Sequence, residues 1–208
     1  MKLLLPTLAL AFAASVTAQY DNQSAPFHLV LSSKDKSIDG DTLSACHAGA
    51  AIEVLCLSHG KSVSSPNPIA PGIFYFNTSE YMSAPDDKPS AGKPGIINWT
   101  LQASDFNVSS GLSLQFYATT NVAVPFLAPG QDGSTPMAFD SNNKLNIQTY
   151  VDDRCVPATV GPTKVFYNWY ACETYWSGYQ YVTLNWVVGV GKPQNPSCVA
   201  VKVKRVFI

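Results

Sequence analysis

Fifteen prolines and thirteen glycines punctuate this 208-residue chain along its whole length, and they leave no room for a long helix. No window of ten or more residues repeats its apolar positions every 3.6 residues. Short runs of β-branched and aromatic residues lie between the breakers instead, which is the pattern of many strands joined by turns. Phe27–Leu31, Ile73–Phe76, Ile96–Leu101 and Leu112–Tyr117 are the plainest of them. Val122–Leu127 contains Pro125, which has no N–H for a ladder and so predicts an edge strand. Thr42–Leu57 carries Cys46 and Cys56, with Ala48–Leu57 expected as either a partial helix or a second hairpin. Met137–Asp140 and Lys144–Tyr150 flank Ser141-Asn142-Asn143, a turn sequence. Ser83–Pro94 is polar and Pro-rich and reads as a loop. The expectation is one compact, antiparallel, all-β domain of about ten to twelve strands. A closed barrel, including the β-trefoil type, would remove its open edges, and a two-sheet sandwich is the alternative.

The strongest local signal is Lys164–Val188, where two long β-favouring runs meet at Ser177-Gly178. A two-residue loop there sets Trp176 opposite Tyr179, Thr174 opposite Tyr181, Cys172 opposite Thr183 and Tyr170 opposite Asn185 on one face. The other face holds Trp169 opposite Trp186, Ala171 opposite Leu184 and Glu173 opposite Val182. Val182, Leu184, Trp186 and Val188 make that second face the predicted core. The first face then groups Tyr170, Trp176, Tyr179 and Tyr181 among small polar residues. Flat rings cover the apolar face of a sugar, and Gln180 or Asn185 could meet its hydroxyls, so these residues are the candidate carbohydrate site. Packing of the same rings beneath a neighbouring loop is the simpler explanation.

Where the chain works is written at its start. Lys2 precedes an apolar stretch, Leu3–Ala14, too short to span a bilayer, and Val16-Thr17-Ala18 offers small residues for cleavage. Residues 1–18 therefore read as a signal peptide, and residues 19–208 as the exported domain. Removing residues 1–18 from 208 leaves 190, enough to bury roughly 70% of the unfolded surface. Without Lys2, 12 basic residues face 14 acidic ones, a formal charge of −2 with no basic run, which argues against nucleic acid. No later apolar run reaches membrane-spanning length, and Val199–Ile208 lacks the tail of a glycolipid anchor signal, so no membrane anchor is expected.

Four sequons follow the signal, at Asn22, Asn77, Asn98 and Asn107, and each predicts an exposed, glycosylated side chain. Asn67 and Asn195 precede proline and are excluded. The five cysteines lack metal or redox spacing. Cys46 and Cys56 bracket a short loop and Cys172 and Cys198 flank the hairpin and its return strand, so these are the two expected disulfides, with Cys155 left over.

No enzymatic constellation is legible. Asp152 and Asp153 would point to opposite faces of a strand, and Asp86-Asp87 reads as solvated charge. Glu173 is predicted on the core face without a partner. His28, His47 and His59 lack metal-site spacing, although a Cys46–Cys56 bridge could bring His47 and His59 together. No catalytic residue, metal or cofactor is assigned.

The segments FHLVLSSKDKSIDGDTLSACHAGAAIEVLCLS, NVAVPFLAPG, YVDD, NWYACETYWSGYQYVTLNWVVG and PQNPSCVAVKVKRVF resemble uncharacterised small secreted proteins of filamentous ascomycete fungi, over nearly all of Phe27–Phe207. More loosely, the layout is similar to the phialide-associated fungal cell-wall proteins. That resemblance implies a fungal origin, secretion, and cell-wall or extracellular residence. Together with the signal peptide, the sequons, the cysteines and the lack of a catalytic constellation, the expectation is a secreted glycoprotein without enzymatic activity, at the cell wall or the host interface. Its expected partners are wall polysaccharide or a host surface component. A carbohydrate-binding module is the alternative, and a secreted hydrolase of unrecognised type the second alternative.

Overall fold

The computed structural model describes residues 20–208, so the signal segment 1–18 and Gln19 lie outside the described residues. Fourteen strands follow in order: β1 (Asn22–Gln23), β2 (Phe27–Ser33), β3 (Leu43–Gly49), β4 (Ile52–Leu57), β5 (Phe74–Thr78), β6 (Ile96–Gln102) and β7 (Asn107–Gln115) make the first half. The second half is β8 (Val122–Pro129), β9 (Ala138–Phe139), β10 (Leu145–Asp152), β11 (Thr159–Phe166), β12 (Trp169–Trp176), β13 (Tyr179–Val187) and β14 (Val199–Phe207). Among the described residues the one helical turn is Pro89–Ala91. Nine strands close a barrel in the order β5-β2-β14-β12-β13-β4-β8-β7-β6, with β6 returning to β5. The fold is thus all-β and a closed barrel, neither trefoil nor sandwich, with more strands than the sequence suggested.

Alternation builds the wall. In β2, Phe27, Leu29 and Leu31 are buried while the residues between them are half-exposed. In β14, Val201 and Val203 point inward and Lys202 and Lys204 outward. These two strands pair over seven residues, from Phe27↔Phe207 to Ser33↔Val201. A small sheet, β9-β10-β11, contributes Phe139 and Leu145 to the same core. Arg205 holds this sheet to β14: its guanidinium lies 4.5 Å from the Phe139 ring and 5.0 Å from that of Phe207, and its Nε donates to Asn143 Oδ1 at 2.9 Å. Burial pushes the Arg205 pKa down.

The Ser177-Gly178 hairpin has the predicted register throughout, from Trp169↔Trp186 to Trp176↔Tyr179. Ser177 and Gly178 both have positive φ, at 46° and 91°, the backbone of a two-residue turn that matches strand twist. Trp169, Ala171, Leu184 and Trp186 face the core as expected. Two members of that face do not: Glu173 is exposed, lying beyond the last β12–β14 pair at Ala171↔Val199, and so is Val188, just past the end of β13. The hairpin also begins later than predicted. Lys164 belongs to β11, which turns away to pair with β10.

Pro125 is not on an edge. β8 pairs with β7 on one side, and on the other with β4 (Val54↔Phe126) and then β13 (Trp186↔Ala123). Leu114, opposite Pro125, donates its N–H away from β8 to Thr135 Oγ1 at 2.9 Å. The missing proline N–H therefore faces the fork where β4 and β13 diverge, and no ladder bond is lost. Ala48–Leu57 forms the second hairpin of the two alternatives, turning at Ala51 with φ 54°. Its outward face, with Cys46, Ala48, Val54 and Cys56, builds a second apolar cluster with Val124, Phe126 and Tyr181. The barrel wall is buried on both sides there.

The two expected disulfides, Cys46–Cys56 and Cys172–Cys198, are present, and Cys155 is free and exposed. Disulfides fit an extracellular, oxidising setting, and no helix of the described residues is long and apolar enough to cross a membrane.

Candidate functional site

The hairpin aromatics are only partly a surface. Tyr181 is 7% exposed and its hydroxyl donates to the His47 carbonyl at 2.9 Å. Tyr179 stacks parallel to Tyr181 at 6.4 Å and meets the His47 ring edge-on at 5.1 Å. Trp176 packs at 4.7 Å from Phe126 and 5.6 Å from Tyr117. These three rings belong to the second cluster, with Tyr181 buried and only Trp176 and Tyr179 left half-exposed. Tyr170 lies elsewhere, against Cys172, Cys198, Val122 and Val187. Asn185 is fully buried, its Nδ2 bonded to Thr183, and so is withdrawn from any ligand. The structure joins Trp176, Tyr179 and Tyr181 and separates Tyr170 from them.

The ionisable residues are dispersed in the same way. Asp152 accepts from Arg154 Nε at 2.9 Å and from Lys164 Nζ, and these bonds hold its pKa well below the ordinary carboxylate range. His59 Nδ1 lies 2.8 Å from Asp41 Oδ1, whereas His47 sits against Tyr179, so the two imidazoles have separate partners. Among the described residues no three His, Cys, Asp or Glu side chains are placed to hold a metal ion.

Glu53 of β4 is 5% exposed, lies between Leu127 and His47 across the sheet, and has an unmet buried Oε2. Burial raises its pKa. A carboxyl whose folded pKa exceeds its unfolded one favours folding below the unfolded value, and that contribution is lost as pH rises through the folded value. Glu53→Met, which keeps length and removes the unmet oxygen, is expected to stabilise the fold by about 1–3 kcal/mol at pH 7 and by less at pH 4. Denaturant curves at the two pH values measure the difference. An equal effect at both would show that charge burial is not the cause.

The sequons divide two and two. Asn22 and Asn107 are exposed, but Asn77 and Asn98 are 7% and 2% exposed, which corrects the exposure expected of all four. Both lie on strands inside the barrel ladder, Asn77 opposite Ile96 and Asn98 between Tyr75 and Gly111. The Nδ2 of Asn98 is buried without a partner, leaving no path for a glycan. Asn22→Gln and Asn107→Gln are each expected to remove one glycan's mass when the chain is expressed through a eukaryotic secretory pathway. Asn98→Gln should leave the mass unaltered, and a lost glycan there would contradict the barrel register.

A cleft of about 660 Å³, inside the usual range for small-molecule sites, lies elsewhere. One wall is the Met82–Asp87 loop; the other is β10 and β11 from Gln148–Tyr150 to Val160–Thr163, with Pro94 and Met137 at the base. A bulge between Thr149 and Val151 breaks the β10–β11 register, and Tyr150 there is 63% exposed. Asp87 fastens the loop to the strand: its carboxylate accepts from Thr163 N–H at 2.6 Å and from Thr163 Oγ1 at 2.7 Å. Those bonds lower the Asp87 pKa and cap the outer edge of β11. Gln148 Nε2 donates to the carbonyls of Ala91 and Gly92, both at 3.0 Å, which fixes the side chain. Apolar walls with a few placed polar groups suit non-covalent binding. Reading Asp86-Asp87 as solvated charge missed this site, because its other half lies more than sixty residues away in sequence.

Residues 24–207 match the family described as a domain of unknown function, DUF7907. The chain belongs to that family. The match spans the whole barrel and the small sheet, from Ser24 to Phe207. No curated protein and no solved structure matches the chain. The DUF7907 description names no activity.

Proposed function

We propose that this DUF7907 protein is exported and acts outside the cell, at a fungal wall or a host surface, as a glycosylated, non-catalytic binding protein. The observation that carries this reading is the 660 Å³ cleft between the Met82–Asp87 loop and β10–β11. Export is supported by the leader-like residues 1–18 and the two disulfides. A fungal wall or host setting is supported by the resemblance to small secreted fungal proteins. Binding without catalysis is supported by the state of the cleft carboxylates. Asp87 is committed to Thr163, which leaves Asp86 as a single free carboxylate, whereas glycoside hydrolysis works through two facing ones.

The test combines localisation and binding. The native protein is expected in the medium or wall fraction, and perturbation of Tyr150 and Val160 signals should mark ligand binding in NMR titrations. Native protein confined to the cytosol, or ligands that perturb only distant residues, would overturn the reading.

A carbohydrate-binding reading rests on the half-exposed rims of Trp176 and Tyr179. Pull-down on chitin, glucan and mannan, repeated with Trp176→Ala and Tyr179→Ala, distinguishes it from the cleft. Retention that survives both substitutions removes the hairpin from consideration.

A further inference from the structure

We infer that the cleft selects small organic cations, molecules with an apolar or aromatic body and a protonated amine. This rests on the binding role proposed above and narrows it to a ligand class.

Charge is the first argument. Asp86 and Asp87 line the cleft, and no Lys, Arg or His does. The two bonds from Thr163 favour the ionised form of Asp87 and lower its pKa. Asp86 takes part in no ion pair among the described residues, so its carboxylate remains open to an incoming donor. An anion would meet two carboxylates in the lining; the neighbouring cation, Lys88, stands outside that lining with its Nζ donating to the Thr163 carbonyl at 3.4 Å, and it offsets Asp87 rather than Asp86. An ammonium meets one charge that is free and another that is fixed.

Hydrogen-bonding polarity is the second. Gln148 Nε2 is surrounded by three acceptors, the carbonyls of Ala91 and Gly92 and the side-chain oxygen of Asn146, so its orientation is unambiguous. Its remaining polar atom is the carbonyl oxygen, an acceptor. The Thr163 N–H and hydroxyl are taken by Asp87. Of the side chains left over, Gln148 Oε1 and Asp86 only accept, and the Ser83 and Tyr150 hydroxyls can do either, so together they favour a ligand that donates.

The walls supply the third. Met82, Pro85, Pro94, Met137 and Val160 offer an apolar lining, and the exposed Tyr150 lines the cleft beside them with an aromatic ring, a group that attracts cations. A body of several carbons can bury against the first group while its ammonium reaches the carboxylate. A bare metal ion would leave that apolar lining unused.

The test titrates the exported chain with 3-phenylpropylammonium, with 3-phenylpropanol as the neutral counterpart and with 3-phenylpropionate as the anion. Calorimetry at low ionic strength reads the affinities. The ammonium is expected to bind about tenfold more tightly than the alcohol, a factor worth about 1.4 kcal/mol, and the carboxylate most weakly. Asp86→Asn should bring the ammonium down to the level of the alcohol. Gly161→Phe should abolish binding of every probe. Gly161 lines the cleft and a Cβ there meets nothing within 4 Å, so the larger side chain enters open space. The ammonium preference should also shrink as salt approaches 0.1 M or more. Equal binding of alcohol and ammonium, blocked by Gly161→Phe, would overturn the cation selectivity and leave the binding role standing. Binding of no probe, or binding that ignores Gly161→Phe, would overturn both.

Discussion

Trp169→Ala is expected to lower stability by about 3–5 kcal/mol, the usual cost of emptying a buried indole site. Trp169 is 1% exposed at the start of β12, and its ring lies edge-on to Trp186 at 4.8 Å. Its Nε1 donates to the Leu145 carbonyl at 2.9 Å, and Leu145 begins β10 of the small sheet. One side chain therefore fills the barrel interior and also fastens the three-stranded sheet that forms half of the cleft. Trp169→Phe keeps most of the packing and strands the carbonyl, so about 1–3 kcal/mol is expected there. Denaturant unfolding gives the two losses. Hydrogen exchange supplies the sharper readout, since amides of Leu145–Asp152 should lose protection before those of β2 and β14. Uniform loss of protection would show that Trp169 supports the barrel alone and does not anchor the small sheet.

What could be read from the residues was mostly local. Ser177-Gly178 set the hairpin register because a two-residue turn with both residues at positive φ allows only one pairing. Both disulfides were legible for a similar reason, since each pair of cysteines brackets a short segment that returns on itself. Alternation misled where the wall has no wet side. Tyr181 and Asn185 fall on the face opposite the core, and polar neighbours made that face look solvated. It is covered instead by the β3–β4 hairpin and the cluster around Val54 and Phe126. Asn77 and Asn98 misled in the same manner: their sequons promised surface, but ring closure between β5 and β6 buries both. Pro125 was tolerated inside the sheet only because three strands meet beside it. The cleft was out of reach of any local pattern. Its halves, Met82–Asp87 and Gln148–Thr163, come together through the Asp87–Thr163 bonds and through Gln148, which reaches the Ala91 and Gly92 carbonyls, and nothing in either segment announces the other.

The two disulfides should differ in what their removal costs. Closing a loop restricts the unfolded chain more as the loop lengthens, which gives about 3.5 kcal/mol for a separation of 26 and about 2.7 kcal/mol for one of 10. The folded state widens that gap. Cys46–Cys56 joins strands already paired at six positions, so the β3–β4 hairpin retains its ladder without the bond. Cys172–Cys198 joins β12 to the head of β14, where the ladder has only two pairs, Tyr170↔Ala200 and Ala171↔Val199. Beyond that short seam β14 is held by its seven pairs with β2, and β2 reaches β5 by the single pair Phe27↔Phe74. Loss of the longer bridge therefore opens the barrel at a place where few backbone bonds resist. Cys172→Ala with Cys198→Ala is expected to cost about 3–5 kcal/mol, and Cys46→Ala with Cys56→Ala about 2–3 kcal/mol. Urea titrations of the two double variants measure the order, and their exchange profiles should differ too, with Val199–Phe207 released only in the first. Equal costs, or a protected C-terminal strand in the first variant, would mean that the β2–β14 ladder alone holds the seam closed.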